Sequence, residues 1–124
     1  MPVLPPDAVA PPHEPVHEAL VIGAGFGGIC MGVALRRAGV EHFLILEKSG
    51  GLGGVWRDNT YPGAACDVPS HLYSFSFAPN PDWSHTFARQ AEIHGYLHDC
   101  ARRFDIERHI RHHATVACAD WIEA

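Results

Sequence analysis

Two short runs without a polar position, Ala19-Leu20-Val21-Ile22 and Phe43-Leu44-Ile45-Leu46, bracket a stretch whose apolar residues recur at helical spacing. Continuous apolar runs of this length predict strands buried on both faces of a parallel sheet. Between them, Ile29, Cys30, Val33 and Ala34 form the apolar stripe of a helix running to about Ala38, with Arg36 and Arg37 at its C-terminal end and Gly39 as its terminator. The second strand is read as residues 42–46. Farther on, residues 72–77 alternate Leu and Ser with Tyr and Phe, which predicts an extended segment with one aromatic face. Phe75 and Phe77 read as core. Ile93, Leu97, Cys100, Ala101 and Phe104 then mark a helix over residues 90–103. Residues 108–116 read as a third parallel strand beside the second, and residues 117–123 as the start of an antiparallel excursion. Residues 1–18 hold six of the ten prolines and read as a flexible leader, leaving residues 19–124 as the folding unit.

The break after the first strand carries the chemistry. Gly23-Ala24-Gly25-Phe26-Gly27-Gly28 places glycines at the three positions of a dinucleotide-binding turn. The first permits the tight turn, the second lets the main chain approach a pyrophosphate, and the third lets the helix pack closely on the strand. Gly32 extends that close-packed edge, and the helix N-terminus faces the anion. Glu47 ends the second strand at the distance, roughly 20 residues, where an acid accepts both ribose hydroxyls in bidentate fashion. A carboxylate there repels a 2′-phosphate, so the nucleotide is FAD or NAD and not NADP. The fold class is α/β, with parallel strands in 3-2-1 order and a long loop excursion after the second.

That excursion narrows the cofactor. Gly50-Gly51-Leu52-Gly53-Gly54-Val55-Trp56 is followed by Tyr61-Pro62-Gly63, with the composition of a tight turn, and then by Asp67 and Tyr73. A loop this long in a compact domain is usually functional. Its glycines let main chain lie against a flat ring system, and Trp56 and Tyr73 supply planar walls.

Charge and composition remove other classes. The formal net charge is -5, with Lys+Arg 9 against Asp+Glu 14, so no basic field faces a nucleic acid. No apolar stretch approaches the roughly 20 residues of a membrane span, and no signal peptide is read. The expected location is the cytoplasm. Cys30, Cys66, Cys100 and Cys118 form no C-x-x-C pair and read as reduced, buried small residues. His94 and His98 share a helical face at metal-pair spacing. No Glu follows His94 and no third ligand is placed, so both read as exposed and no metal is expected. His109, His112 and His113 also read as solvent-facing.

The segments G-A-G-F-G-G, L-I-L-E-K and G-G-V-W-x-x-N-x-Y-P-G-x-x-x-D-x-x-S-x-x-Y resemble the flavin-dependent, NADPH-using monooxygenases, particularly the Baeyer-Villiger and 4-hydroxyacetophenone monooxygenase-like types. The resemblance implies an incomplete Rossmann-like FAD-binding domain. It places Gly23, Ala24, Gly25, Phe26, Gly27 and Gly28 on the FAD pyrophosphate, and Glu47 and Lys48 at the adenosine ribose. Gly54, Val55, Trp56, Asp58 and Tyr73 then lie on the flavin side, and the main chain of Val116 at the adenine. It makes Asp67 the catalytic candidate, beside the flavin, orienting an arginine. It implies NADPH as co-substrate, O2, and a ketone or soft-heteroatom substrate oxygenated through a C4a-peroxyflavin. Val55 stands where many relatives carry Thr, and Arg57-Asp58 where aromatic residues are common, which leaves Baeyer-Villiger and heteroatom oxidation both open. A second glycine motif for NADPH is expected of such an enzyme and is not among these residues, so the chain reads as an N-terminal part without turnover of its own. Two alternatives stand beside this reading. One is a non-catalytic dinucleotide-binding module that docks on a partner. The other is an NAD-dependent dehydrogenase fragment, which has no use for the G-G-V-W and Y-P-G segments.

Overall fold

The computed structural model describes residues 15–123. The proline-rich leader therefore lies outside the described residues as far as residue 14. Three parallel strands form one sheet: β1 (Ala19–Ile22), β2 (Phe43–Leu46) and β3 (Ile110–Arg111), with β2 in the middle. This is the 3-2-1 arrangement. Ala19 pairs with Phe43 and Ile22 with Leu46, while Ile45 and Leu46 pair with Ile110 and Arg111. α1 (Phe26–Arg37) crosses from β1 to β2, the short α2 (Val55–Asp58) follows the glycine loop, and α3 (Gln90–Arg103) has the bounds its periodicity predicts. One core joins them, with Ile29, Val33, Ile45, Leu97, Ala101 and Ile106 among its buried members.

The closest approach is made by glycine. A Cβ on Gly28 would stand 1.8 Å from the Gly23 carbonyl oxygen, and one on Gly32 3.1 Å from Ile106. The buried stripe of α1 is accordingly Gly28, Ile29, Gly32 and Val33. Cys30 and Ala34, expected on that stripe, are exposed. Each lies two positions, roughly 200°, from a contact glycine, and so faces away from the sheet. Both long helices end in the same device. Gly39 N–H donates to Arg36 O and Val40 N–H to Leu35 O, with Gly39 at φ +83. At the end of α3, Asp105 N–H donates to Arg102 O and Ile106 N–H to Ala101 O, with Asp105 at φ +55. These are Schellman caps, one closed by glycine and one by a strained aspartate.

Several expectations change. β1 is covered on one face only: Ala19 and Val21 are half-buried, while Leu20 and Ile22 are 59% and 68% exposed. β3 stops at Arg111, since His113 at φ +55 turns the chain. Residues 112–123 form no strand, so the antiparallel excursion is absent among the described residues; instead residues 114–120 line an apolar cavity of about 630 Å³ with Leu20, Ile22 and Leu46. Residues 72–77 are not extended. A 3-10 turn at Ser70–Leu72 takes in the first of them, and Phe75 N–H donates to the Tyr96 hydroxyl instead of a neighbouring strand. Phe75 is nonetheless core and stacks on Phe77 at 4.8 Å. His109 is buried, turned inward by the 3-10 turn Glu107–His109 and stacked on Phe43 at 3.9 Å. Of the cysteines, Cys66 and Cys100 are buried, while Cys30 and Cys118 are exposed.

Candidate functional site

The turn after β1 and the glycine loop after β2 meet main chain to main chain. Gly53 N–H donates to Ala24 O at 2.9 Å, and a Cβ on Gly54, which sits at φ +56, would stand 3.1 Å from Gly25 Cα. Only two glycines allow that contact. On either side of this seam lies a cavity. One, about 400 Å³, is lined by residues that include Gly23, Ala24, Glu47, Lys48, Asp58 and Val116. The other, about 510 Å³, is lined by Phe26, Gly53, Trp56, Leu72, Tyr73 and Ser74 among others. Gly25, Gly54 and Val55 line both, so the two form one trough.

At the first end Glu47 is buried, 6% exposed, and held by three donors. Ala24 N–H reaches Oε2 at 2.8 Å, while Ser49 N–H and the Ser49 hydroxyl reach Oε1 at 2.9 and 2.8 Å. Burial pushes its pKa up, but the hydrogen bonds from Ser49 and Ala24, helped by nearby His112, outweigh it and leave the value below the ordinary one. The side chain is thus an anion at neutral pH. The Ser49 hydroxyl has one proton and also faces Gly51 O at 2.9 Å; with that proton given to the carboxylate, Oε1 has both lone pairs engaged and Oε2 one, and a single acceptor position remains. In that arrangement the carboxylate offers one position and not the two that bidentate acceptance of the ribose hydroxyls needs; turning the Ser49 proton to Gly51 O frees the second. Beside it, α1 begins with no side-chain cap and no acid in its first turn, leaving its first main-chain N–H groups to an external anion.

At the other end the walls are aromatic. Trp56 Nε1–H donates to the Tyr73 hydroxyl at 2.9 Å, with the rings edge to face, and Phe26 stands edge-on to Tyr73 at 5.2 Å. Gln90, at the start of α3, donates its side-chain amide to the Trp56 carbonyl. Beneath, the Tyr96 hydroxyl donates to Ala78 O and accepts from Phe75 N–H, both at 2.8 Å. Burial pushes that phenol's pKa far up.

The structure thus brings Gly23, Ala24, Gly25, Phe26, Glu47, Lys48, Gly54, Val55, Trp56, Asp58, Tyr73 and Val116 onto one trough. Gly27 and Gly28 lie in the first turn of α1 and line neither cavity. Asp67 also stands apart: it is exposed and lines neither one. Residues 61–64 make the expected turn, with Ala64 N–H on Tyr61 O and Gly63 at φ +85. Sequence reasoning missed Ser49, whose place two residues after an acid is the signal for a carboxylate-holding hydroxyl. It also missed Ser70, buried, which accepts from Ala88 N–H at 2.8 Å and fixes the chain behind Tyr73. His94 and His98 are half-buried, not exposed. Burial, then the neighbouring His94, pushes the His98 pKa down.

The family model described as an NAD(P)-binding Rossmann-like domain matches residues 21–90. A Baeyer-Villiger monooxygenase of Streptomyces coelicolor is 54% identical over 112 residues, covering 88% of this chain and 22% of that protein. A steroid monooxygenase structure bound to NADP is 43% identical with a TM-score of 0.72, covering 76% of this chain and 19% of that one. The structure of OTEMO in complex with FAD and NADP is 33% identical with a TM-score of 0.81, covering 90% and 22%. The chain spans about a fifth of the length of these relatives.

Proposed function

The chain belongs to the NAD(P)-binding Rossmann-like domain family, and from that premise we propose that it seats FAD in a flavin-dependent, NADPH- and O2-using monooxygenase. The observation that carries this reading is the single trough with an uncapped helix start and a buried anion at one end and aromatic walls at the other. A dinucleotide with a flat ring fits both halves. Phe26, Gly27 and Gly28 main-chain N–H groups would hold the pyrophosphate. Oε2 of Glu47 would accept one ribose hydroxyl, and its charge would repel a 2′-phosphate. Val116 would border the adenine. Trp56 and Tyr73, fixed to each other and braced by Gln90, would wall the flavin.

Bound FAD would supply the redox chemistry, hydride acceptance from NADPH and activation of O2. The protein's part is binding, orientation and exclusion of water. Asp67, off the trough and exposed, would meet the cofactor only through a further group, such as an arginine it orients. A ketone substrate follows from the Baeyer-Villiger name of the relatives, and a soft heteroatom is the variant that the sequence at Val55 and Arg57-Asp58 leaves open. Because the relatives are about five times longer, oxygenation belongs to a whole enzyme of that kind, and these residues alone are expected not to oxidise NADPH. The four free cysteines suit a reducing compartment, and we place the protein in the cytoplasm.

The test is reconstitution. The chain incubated with FAD and passed through gel filtration should carry flavin absorbance with the protein peak. Elution of all flavin at the small-molecule volume, from a folded sample, overturns the proposal.

A further inference from the structure

His94 and His98 lie one helical turn apart on α3, toward the glycine loop. Their Nε2 atoms stand 3.2 Å apart, and the rings are inclined at 67°. His94 Nε2 also stands 3.0 Å from the Leu52 carbonyl oxygen. An imidazole nitrogen has one in-plane position, filled by a proton or by a lone pair. If His94 Nε2 is protonated, its single N–H is split between Leu52 O and the His98 lone pair. If it is bare, its lone pair faces that of the carbonyl. Neither proton arrangement serves both contacts fully, and a shared cation does.

The spacing fits one. Zinc binds imidazole nitrogen at about 2.0–2.1 Å, which separates two such ligands by about 3.0 Å at a right angle and about 3.4 Å at the tetrahedral angle. The observed 3.2 Å falls between these without any movement of the helix. Sequence spacing alone does not reach this point, because it places no third ligand. The fold supplies one in the Leu52 carbonyl, 42 residues away along the chain. We infer that His94 and His98 chelate one borderline divalent transition-metal ion, Zn²⁺, Ni²⁺ or Cu²⁺, with the Leu52 carbonyl beside them and water completing the shell. Imidazole favours these ions over Mg²⁺ or Ca²⁺. The metal would tie α3 to the loop carrying Gly53, whose added Cβ would stand 2.6 Å from His94 Cδ2. His94, His98 and Leu52 themselves line neither half of the dinucleotide trough.

The test uses the whole chain without a histidine tag, modified by diethyl pyrocarbonate and mapped by peptide mass. Zn²⁺ should lower modification of His94 and His98 at least fivefold and leave the exposed His71 and His85 unchanged, while Mg²⁺ protects none. Titration against a zinc-sensitive dye should show affinity falling at least tenfold in His98→Ala, a variant that keeps the His94 contact to Leu52. Equal modification with and without Zn²⁺, protection confined to other histidines, or wild-type affinity in His98→Ala would each overturn the inference.

Discussion

Gly28 and Gly27 are neighbours in one motif, yet the structure gives them opposite roles in stability. A Cβ on Gly28 would lie 1.8 Å from Gly23 O and 2.9 Å from Gly23 C. Carbon and oxygen meet comfortably at about 3.3 Å or more, so the shortfall is about 1.5 Å. Both groups are main chain, and no side chain can swing aside. α1 has to lift off β1, which loosens Ile29 and Val33 from Ile45. Gly28→Ala should therefore cost about 3 kcal/mol or more, at the upper end of overpacking effects. That lowers Tm by roughly 12 °C or more in a domain of this size. Around Gly27 nothing lies within 4 Å of the added carbon. Gly27→Ala, in the first turn of a twelve-residue helix, should stabilise by about 0.5–1 kcal/mol and raise Tm by roughly 2–6 °C. Thermal melts followed by far-ultraviolet circular dichroism read both. A Gly28→Ala melt within 2 °C of wild type, or a Gly27→Ala variant less stable than Gly28→Ala, would refute the reasoning.

Tyr96→Phe removes the acceptor of Phe75 N–H and the donor to Ala78 O inside the core. It should cost about 1–3 kcal/mol in urea denaturation, since two buried groups lose their partner. Glu47→Gln replaces a carboxylate that accepts three hydrogen bonds with an amide whose NH2 must face one of those donors. It should cost about 2–3 kcal/mol at pH 7. Because the folded pKa of Glu47 lies below its ordinary 4.5, its stabilising contribution is complete above that pH and is lost as pH falls through the folded value. The gap between wild type and Glu47→Gln should accordingly close on acidification below pH 4.5, and a pH-independent gap would contradict the assignment.

Much of this fold is legible in the sequence because its signals are local. The apolar runs at residues 19–22 and 43–46, the glycine spacing and the α3 periodicity each report a single element, and each forms where expected. The losses come where a distant partner decides. Leu20 and Ile22 read as buried because their run is uninterrupted, but burial of the second face depends on what packs there. The 72–77 alternation mimics a strand, and the Tyr96 hydroxyl, more than twenty positions away, captures the Phe75 N–H first. His113 ends β3 through a positive φ that a histidine does not announce. At the site, Glu47, Gly23 and Gly25 could be read from spacing. The hold of Ala24 and Ser49 on Glu47, and the place of Asp67 off the trough, could not, because both follow from how loops distant along the chain are folded together.

Isothermal titration of the chain with FAD, ADP, FMN and adenosine 2′,5′-bisphosphate tests the central claim most directly. A trough that anchors a dinucleotide through the α1 N-terminus and a single free acceptor on Glu47 should bind FAD and, more weakly, ADP. It should reject the 2′-phosphorylated nucleotide by at least tenfold and bind FMN least. Binding of FMN with no response to ADP, or equal affinity for the 2′-phosphorylated nucleotide, would contradict it.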